Sequence, residues 1–316
     1  MYFLMMVISS PILATSSKSW LMIWMMLEMS SVSFIMMMNK SMKKMGDMNM
    51  KYFLVQTIGS CVLLVAIFSN QKEILSMVKT DSMNTSIMLL VAMLLKMGMF
   101  PMHSWVINMS NKLKMMILIM MLSWQKIIPM KIMTMNMSWV NLYIFLLSML
   151  WGTVMQMNNT MFKIIIATSS VNHMGMAMMM SVENSSKPFL YLFIYTVIMF
   201  MLLQLVTKLN IDSVLNQSFN SKSMSITMIS LAGIPPMLGF AMKWMVISSS
   251  YKNFNSSAVV MFIMFMATIN FFIYMRMSYS STMMKAKSSM VKMNKEWNYI
   301  SMLNCSSPLM MFHSFK

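Results

Sequence analysis

The sequence predicts an all-α polytopic membrane protein of ten or eleven transmembrane helices, and three observations carry that reading. The chain of 316 residues is 58% hydrophobic, with a mean hydropathy of +0.67. Only 10% of its residues are charged, where a soluble domain carries about 25%. Apolar runs of about 20 residues, enough for a helix to cross the hydrocarbon core, follow one another from the first residues to near the C-terminus. No stretch between them is long enough for a separate soluble domain.

Punctuation by Lys, Asn, Ser and Pro places spans at 2–16, 20–38, 52–69, 84–106 and 115–135, then at 138–156, 160–181, 188–207, 224–247 and 257–278. A last segment at 297–313 is interrupted by Asn304, Cys305, Ser306, Ser307 and Pro308. The first residues, MYFLMMVISSPILATSS, have neither the basic start of a secretory signal nor the Arg-rich face of a transit peptide, and read as a first span.

Methionine reaches 58 residues, and Arg276 is the single arginine among 24 basic residues. Packing does not require this, because Leu or Ile fills lipid-facing positions as well. An AT-rich genome that reads a former isoleucine codon as Met does produce it, so mitochondrial encoding is expected. Connectors after even-numbered spans hold thirteen lysines, against six after odd-numbered spans: Lys18, Lys72, Lys79, Lys131, Lys187 and Lys252. Excess Lys and Arg mark the side from which helices insert, which puts the N-terminus on the matrix side.

The net charge of +17 is thus spread over short connectors and forms no single basic face, which argues against nucleic-acid binding. Cys61 and Cys305 make no zinc, disulfide or iron–sulfur pattern. Three histidines are too few for a haem–copper oxidase and give at most one ligand pair for a cytochrome b. Arg276 lies at a span end, not mid-membrane as a rotary proton channel would need.

The segment Gly98, Met99, Phe100, Pro101, Met102 recurs as Gly233, Ile234, Pro235, Pro236, Met237, each copy inside a span and each with a lysine nearby. Gly and Pro inside a span break the helix and free main-chain carbonyls, which is tolerated where the break is buried in protein or lines a wet cavity. Paired broken helices in two halves point to a transporter-like ion site.

Five ionisable residues lie at membrane depth. Glu28, in WMMLEMS, is the one acid well inside a span and must be paired, hydrated or protonated there. It reads as a proton-exchanging carboxyl, or else as a neutral acid bonded to a neighbouring helix. Lys96 sits mid-span just before the first break, where desolvation disfavours its charged form and suits it to proton exchange; snorkelling is the alternative. Lys126, in LSWQKIIPM, is also central, although Gln125 beside it suits a polar packing seam. His173 is central in its span and suited to proton transfer, or to a structural interhelical hydrogen bond. Lys243 lies nearer a span end, and the break before it raises its functional weight. His103 and His313 read as structural or interfacial.

In order and spacing, LEMS around Glu28, KYFLVQ (51–56), LLKMGMFPMHSW (94–105), WQKIIP (124–129), SSVNHMG (169–175) and SLAGIPPMLGFAMKW (230–244) resemble the NADH dehydrogenase subunit 2 family of mitochondrial respiratory complex I, in its shortened animal form. The resemblance runs to about residue 280. It implies an antiporter-like fold of two inverted five-helix repeats, residues 1–135 and 136–280, each with a broken helix (near 94–105 and 230–244), followed by a basic connector and a last helix in 281–316. Glu28 then matches the family's buried glutamate, Lys96 and Lys126 the lysines of the first repeat, Lys243 that of the second broken helix, and His173 the histidine between them.

The resemblance further implies a proton-translocating core subunit of the inner mitochondrial membrane, with other membrane-arm subunits of the complex and lipids as partners. It implies no nucleic acid and no soluble substrate. NADH, FMN, iron–sulfur clusters and ubiquinone would belong to other subunits, leaving this chain no cofactor or metal. Val106, Ile107 and Asn108 stand where the family continues with Pro-Glu, Ala232 where a second glycine is common, and Met176 where a tryptophan often follows. A stand-alone cation/proton antiporter and a non-pumping scaffold subunit are the alternative functions.

Overall fold

Among the described residues every regular element is helical, as the apolar runs require: in hydrocarbon a chain must satisfy its own N–H and C=O groups, and a helix does so within one segment. The computed structural model describes residues 2–41, 46–69, 83–136, 139–182, 186–208, 222–235, 237–254 and 257–283. The first half holds α1 (Tyr2–Ser16), α2 (Trp20–Ser41), α3 (Gly46–Ser69), α4 (Met83–Met97), α5 (Ser104–Ser110), α6 (Met115–Leu122) and α7 (Ile127–Met135). The second holds α8 (Trp139–Asn158), α9 (Phe162–Met179), α10 (Lys187–Lys208), α11 (Lys222–Ala232), α12 (Leu238–Phe254) and α13 (Ser257–Met283). Short 3-10 turns stand at Trp124–Lys126 and Met180–Val182.

Among the described residues six helical segments are long and apolar enough to cross a membrane: Trp20–Ser41, Gly46–Ser69, Met115–Met135, Val140–Asn158, Lys187–Val206 and Ser257–Tyr279. Each coincides with an expected span. Tyr2–Ser16 and Thr85–Met97 are shorter apolar helices. The spans expected at 84–106 and 224–247 are each divided at their glycine, into α4 and α5 and into α11 and α12. The segment at 297–313 lies outside the described residues, as does Pro236.

The span at 115–135 was expected to be continuous. It is instead divided by the 3-10 turn that carries Lys126, with α7 starting immediately after it. Pro129 explains the division: proline is tolerated in the first turn of a helix but not in its interior, so a new helix has to begin just before it. The Ser123 hydroxyl takes the Ile119 carbonyl at the end of α6, at 2.6 Å.

The core is organised around α9, which is buried without interruption from Ile165 to Met179. Its Thr168, Ser169, Ser170, Asn172 and His173 make it too polar for a lipid-facing helix, and the fold covers it with α8, α10, α6 and α12. Glycines set the closest approaches. A Cβ on Gly152 of α8 would meet Asn172 Cβ and its backbone N at 3.0 Å, and one on Gly175 of α9 would strike the Ser148 hydroxyl and Met149. On the outside, Phe53, Leu54, Tyr143, Phe193, Met261, Phe265 and Phe272 are exposed, an apolar surface suited to acyl chains or neighbouring subunits.

Helix α1 is anchored through its carbonyls. Pro11 has no N–H to offer Val7, and the free Val7 carbonyl accepts the Trp124 indole N–H at 2.9 Å and the Ser10 hydroxyl at 3.4 Å. At the C-terminal end of α1, Lys131 Nζ donates to Ala14 O and Thr15 O at 3.0 Å and to Ser17 O at 2.8 Å. This corrects the sequence reading of Lys131 as a connector lysine. It lies inside α7, is 7% exposed, and closes the open end of α1.

Loss of these bonds should release α1. A hydrogen bond to a charged group contributes about 1.5–3 kcal/mol, so Lys131→Met should speed amide hydrogen exchange across residues 2–16 in the intact assembly. Lys18→Met, at an exposed site, should leave it unchanged. Equal exchange in the two variants would remove the anchoring role.

Candidate functional site

Both helix breaks begin with a glycine in the left-handed region, Gly98 at φ 64° and Gly233 at φ 78°. At the first, α4 closes with Gly98 N–H on Leu95 O (3.3 Å) and Met99 N–H on Leu94 O (3.2 Å), the paired bonds of a Schellman end. A Cβ on Gly98 would strike Val106, so the position is closed to larger residues by space as well as by φ. The Phe100–Pro101 peptide is cis. The Trp105 indole N–H reaches back to Leu95 O at 3.1 Å, which satisfies a freed carbonyl without using the nearby lysine.

Lys96 therefore keeps its ammonium free of carbonyls. It is 5% exposed, and among the described residues no hydrogen bond reaches its Nζ. Its stem lies against α3 at Gly59, where a Cβ would come within 3.0 Å of Lys96 Cγ and 3.5 Å of Cε. Glu28, half-buried on α2, acts electrostatically on Lys96 and on the buried Tyr52 hydroxyl without closing a direct ion pair onto the lysine. Tyr52 is held between Phe34 (centroids 5.1 Å) and Trp105 (6.0 Å).

The second break is resolved differently. Gly233 N–H bonds Ile229 O (3.2 Å) and Ser230 O (3.1 Å), and α12 restarts so close to α11 that a Cβ on Gly239 would overlap the Ser230 carbonyl. Here the lysine itself serves the freed carbonyl: Lys243 Nζ donates to Ala232 O and, at 3.4 Å, to Ala267 O of α13. Its stem crosses Gly233, where a Cβ would lie 2.8 Å from Cδ and 2.9 Å from Cε. At 9% exposed, Lys243 is buried and does not snorkel to the interface.

Lys126 and His173 occupy the space between. Lys126 Nζ donates to the Ser170 hydroxyl on α9 at 3.1 Å. One turn along α9, His173 Nδ1 and the Tyr191 hydroxyl of α10 share a hydrogen bond of 2.7 Å, and that hydroxyl also lies 3.7 Å from Met176 Sδ. The His173 ring stands 5.0 Å from that of Tyr195. Lys126 and Lys243 both act electrostatically on His173, so each lies within its field.

The five ionisable residues singled out in the sequence fall into two groups: Glu28 with Lys96, and His173 with Lys126 and Lys243, where Lys126 bonds Ser170 one turn from His173. Sequence reasoning missed Ser170, Tyr191, Tyr195 and the glycine at 59. The signals were present in the spacing, with Ser170 three residues before His173 and Tyr191 and Tyr195 four apart, each putting two polar groups on one helical face. His103, read as structural, is so: its Nε2 accepts the Trp151 indole N–H at 2.7 Å and its Nδ1 lies 3.2 Å from Pro101 O, which ties the first break to α8.

Comparison with known proteins identifies the family to which this fold belongs. Residues 17–271 match the family described as NADH:quinone oxidoreductase/Mrp antiporter, TM. The chain is similar to NADH-ubiquinone oxidoreductase chain 2 of Sylvisorex granti, 32% identical over 296 residues covering 89% of this chain and 84% of the relative. It is similar also to chain 2 of Equus asinus, 32% identical over 311 residues covering 94% and 89%.

Among solved structures, a chain of respiratory complex I from Thermus thermophilus with bound Aureothin superimposes with a TM-score of 0.77 at 15% identity, covering 95% of this chain and 74% of that one. A chain of the Mrp complex from Dietzia sp. DQ12-45-1b does so with 0.74 at 13% identity, covering 87% and 59%. The shared fold, the long matched segment and the agreement over nearly the whole length of two curated relatives establish that the chain belongs to the NADH-ubiquinone oxidoreductase chain 2 family of antiporter-like membrane proteins.

Proposed function

We propose that the chain is a core membrane-arm subunit of a proton-pumping NADH:ubiquinone oxidoreductase and relays protons along Glu28, Lys96, Lys126, His173 and Lys243. The observation that carries the reading is the contrast between the two breaks. Lys243 has carbonyl partners, whereas Lys96 is also buried, has no hydrogen bond among the described residues, and lies in the field of Glu28 and, more weakly, Cys61. A buried ammonium without hydrogen bonds depends on the surrounding field to stay charged, so a change in the Glu28–Lys96 separation shifts the balance between holding and releasing a proton. A proton leaving Lys96 Nζ would pass to Lys126, then by way of Ser170 to His173, and from there to Lys243.

In this reading the helices make ten crossings, with α4/α5, α6/α7 and α11/α12 each counting as one, in two inverted repeats over 1–135 and 136–280. The N-terminus lies on the matrix side of the inner mitochondrial membrane, in keeping with the lysine-rich connectors and with the removal of Lys131 from the opposite count. Redox chemistry with NADH, FMN, iron–sulfur clusters and ubiquinone falls to other subunits. This chain's own residues hold, move and shield protons.

Lys96→Met should leave assembly and native mass unchanged and lower the number of protons translocated per NADH oxidised in proteoliposomes. Unchanged pumping would exclude Lys96 from the path. Gly59→Ala should act through Lys96 without touching an ionisable group, because its new methyl crowds the lysine stem at a cost of about 1–3 kcal/mol, and pumping should fall while quinone reduction by the assembled complex persists. Gly46→Ala on the same helix, with nothing within 4 Å of its Cβ, is the matched control and should have no effect.

A further inference from the structure

A membrane protein is bathed in lipid, but it holds one lipid in place only where a pocket receives the headgroup and a basic side chain fixes it. Between α3 and α5 lies such a pocket, of about 260 Å³, lined by Lys51, Leu54 and Val55 of α3 and by Ser104, Trp105 and Asn108 of α5. Lys51, Ser104 and Asn108 have no part in the proposed relay.

These three polar side chains are exposed, and among the described residues none has a hydrogen bond or an ion pair. An ammonium, a hydroxyl and an amide NH₂ all donate, so together they suit a negative group. No acid lines the pocket. Asp47, exposed one turn before Lys51 on α3, makes no ion pair with it. The wall opposite is preformed. The Trp105 indole is pinned by its N–H on Leu95 O at 3.1 Å and by its ring against Tyr52, with centroids 6.0 Å apart.

Depth and surroundings favour a lipid over a soluble anion. In the ten-crossing order proposed above, α3 starts on the membrane face at which α5 ends. Lys51 stands five residues after Gly46, about 7.5 Å into the helix, and Asn108 two residues before the end of α5. That is headgroup level. The exposed Lys112 and Lys114 follow α5 on the same face and add to its positive charge. Deeper along α3, Leu54 (52% exposed) and Ile58 (53% exposed) lie one turn apart on the side that carries Lys51. The pocket is smaller than the roughly 300–1,000 Å³ of a site that encloses a whole ligand, so it takes a headgroup and leaves the chains outside on these residues.

We propose that the pocket between α3 and α5 binds an anionic phospholipid, its phosphate received by Lys51, Ser104 and Asn108 and an acyl chain laid along Leu54 and Ile58. The pocket itself stands on the meeting of α3 with α5; its depth rests on the ten-crossing order.

The test uses the assembled complex and a phosphatidylglycerol with a photoreactive diazirine on the first carbons of one acyl chain. Labelled peptides from residues 50–58 and 104–108 are expected. Unlabelled phosphatidylglycerol should displace the probe at about fivefold lower concentration than phosphatidylcholine, equivalent to the ~1 kcal/mol that one lysine contributes at a charged surface. Lys51→Gln should abolish this preference, and Asn108→Asp, which keeps the lysine but places an acid beside it, should do the same. Lys252→Gln, exposed on α12 and outside the pocket, should leave it intact.

Equal displacement by the two lipids marks unselective surrounding lipid and overturns the site, as does a preference that survives both pocket variants. Displacement by inorganic phosphate makes it a site for the free anion and overturns the lipid. A carbodiimide crosslink from Lys51 to an acidic residue of a neighbouring subunit puts protein there instead and overturns it too. Labelling is read without proton transport, so its failure and that of the relay are separate results.

Discussion

A main-chain carbonyl that loses its helical partner in hydrocarbon costs several kcal/mol unless another donor reaches it. This chain frees such carbonyls at several places, and the donors recruited to them define its interior. Trp124 serves Val7, Lys131 serves the end of α1, Trp105 serves Leu95, and Lys243 serves Ala232. Each donor comes from a different helix or across a break, so that satisfying the backbone also fixes which helices sit beside which. The ionisable residues at membrane depth inherit their surroundings from these arrangements.

The two breaks show how one local solution leads to different chemistry. Both use a left-handed glycine and both carry a lysine, one two residues before its glycine and the other ten residues after. At the first break an indole takes the exposed carbonyl and leaves Lys96 subject to Glu28. At the second the lysine takes it directly, and its stem fills the space that Gly233 leaves open. Lys243 is thereby tied to the geometry of the break, and movement of α11 against α12 acts on its ammonium at once. Lys96 is tied instead to α2 and α3.

Much of this was legible in the sequence because hydrophobic run length and Gly/Pro punctuation are local signals. The six long apolar segments, both glycine breaks and the burial of Lys96, Lys126, His173 and Lys243 all come from such signals. The division at Lys126 was missed although Pro129 announced it, because the apolar run continues across the turn and hides the change of helix. Lys131 was misplaced for a related reason: a lysine near a span end looks solvated until the open carbonyls of a helix more than a hundred residues away are brought to it. The partners Ser170 and Tyr191 depend on how the Lys126 turn, α9 and α10 meet, which no single helix encodes.

The sheathing of α9 bears on how the chain is made. With Ser169, Ser170, Asn172 and His173 near its centre, α9 is not among the helices apolar enough to hold themselves in lipid, whereas Val140–Asn158 of α8 is. The two meet along their lengths, with Gly152 of α8 against Asn172 and Gly175 of α9 against Ser148 and Met149, small residues that let the backbones approach until polar groups are covered. A helix of this composition has to enter the bilayer with the partner that shields it. The unit of insertion is then the α8/α9 hairpin, and a bulky residue at either glycine would be felt during biogenesis, before any proton has moved.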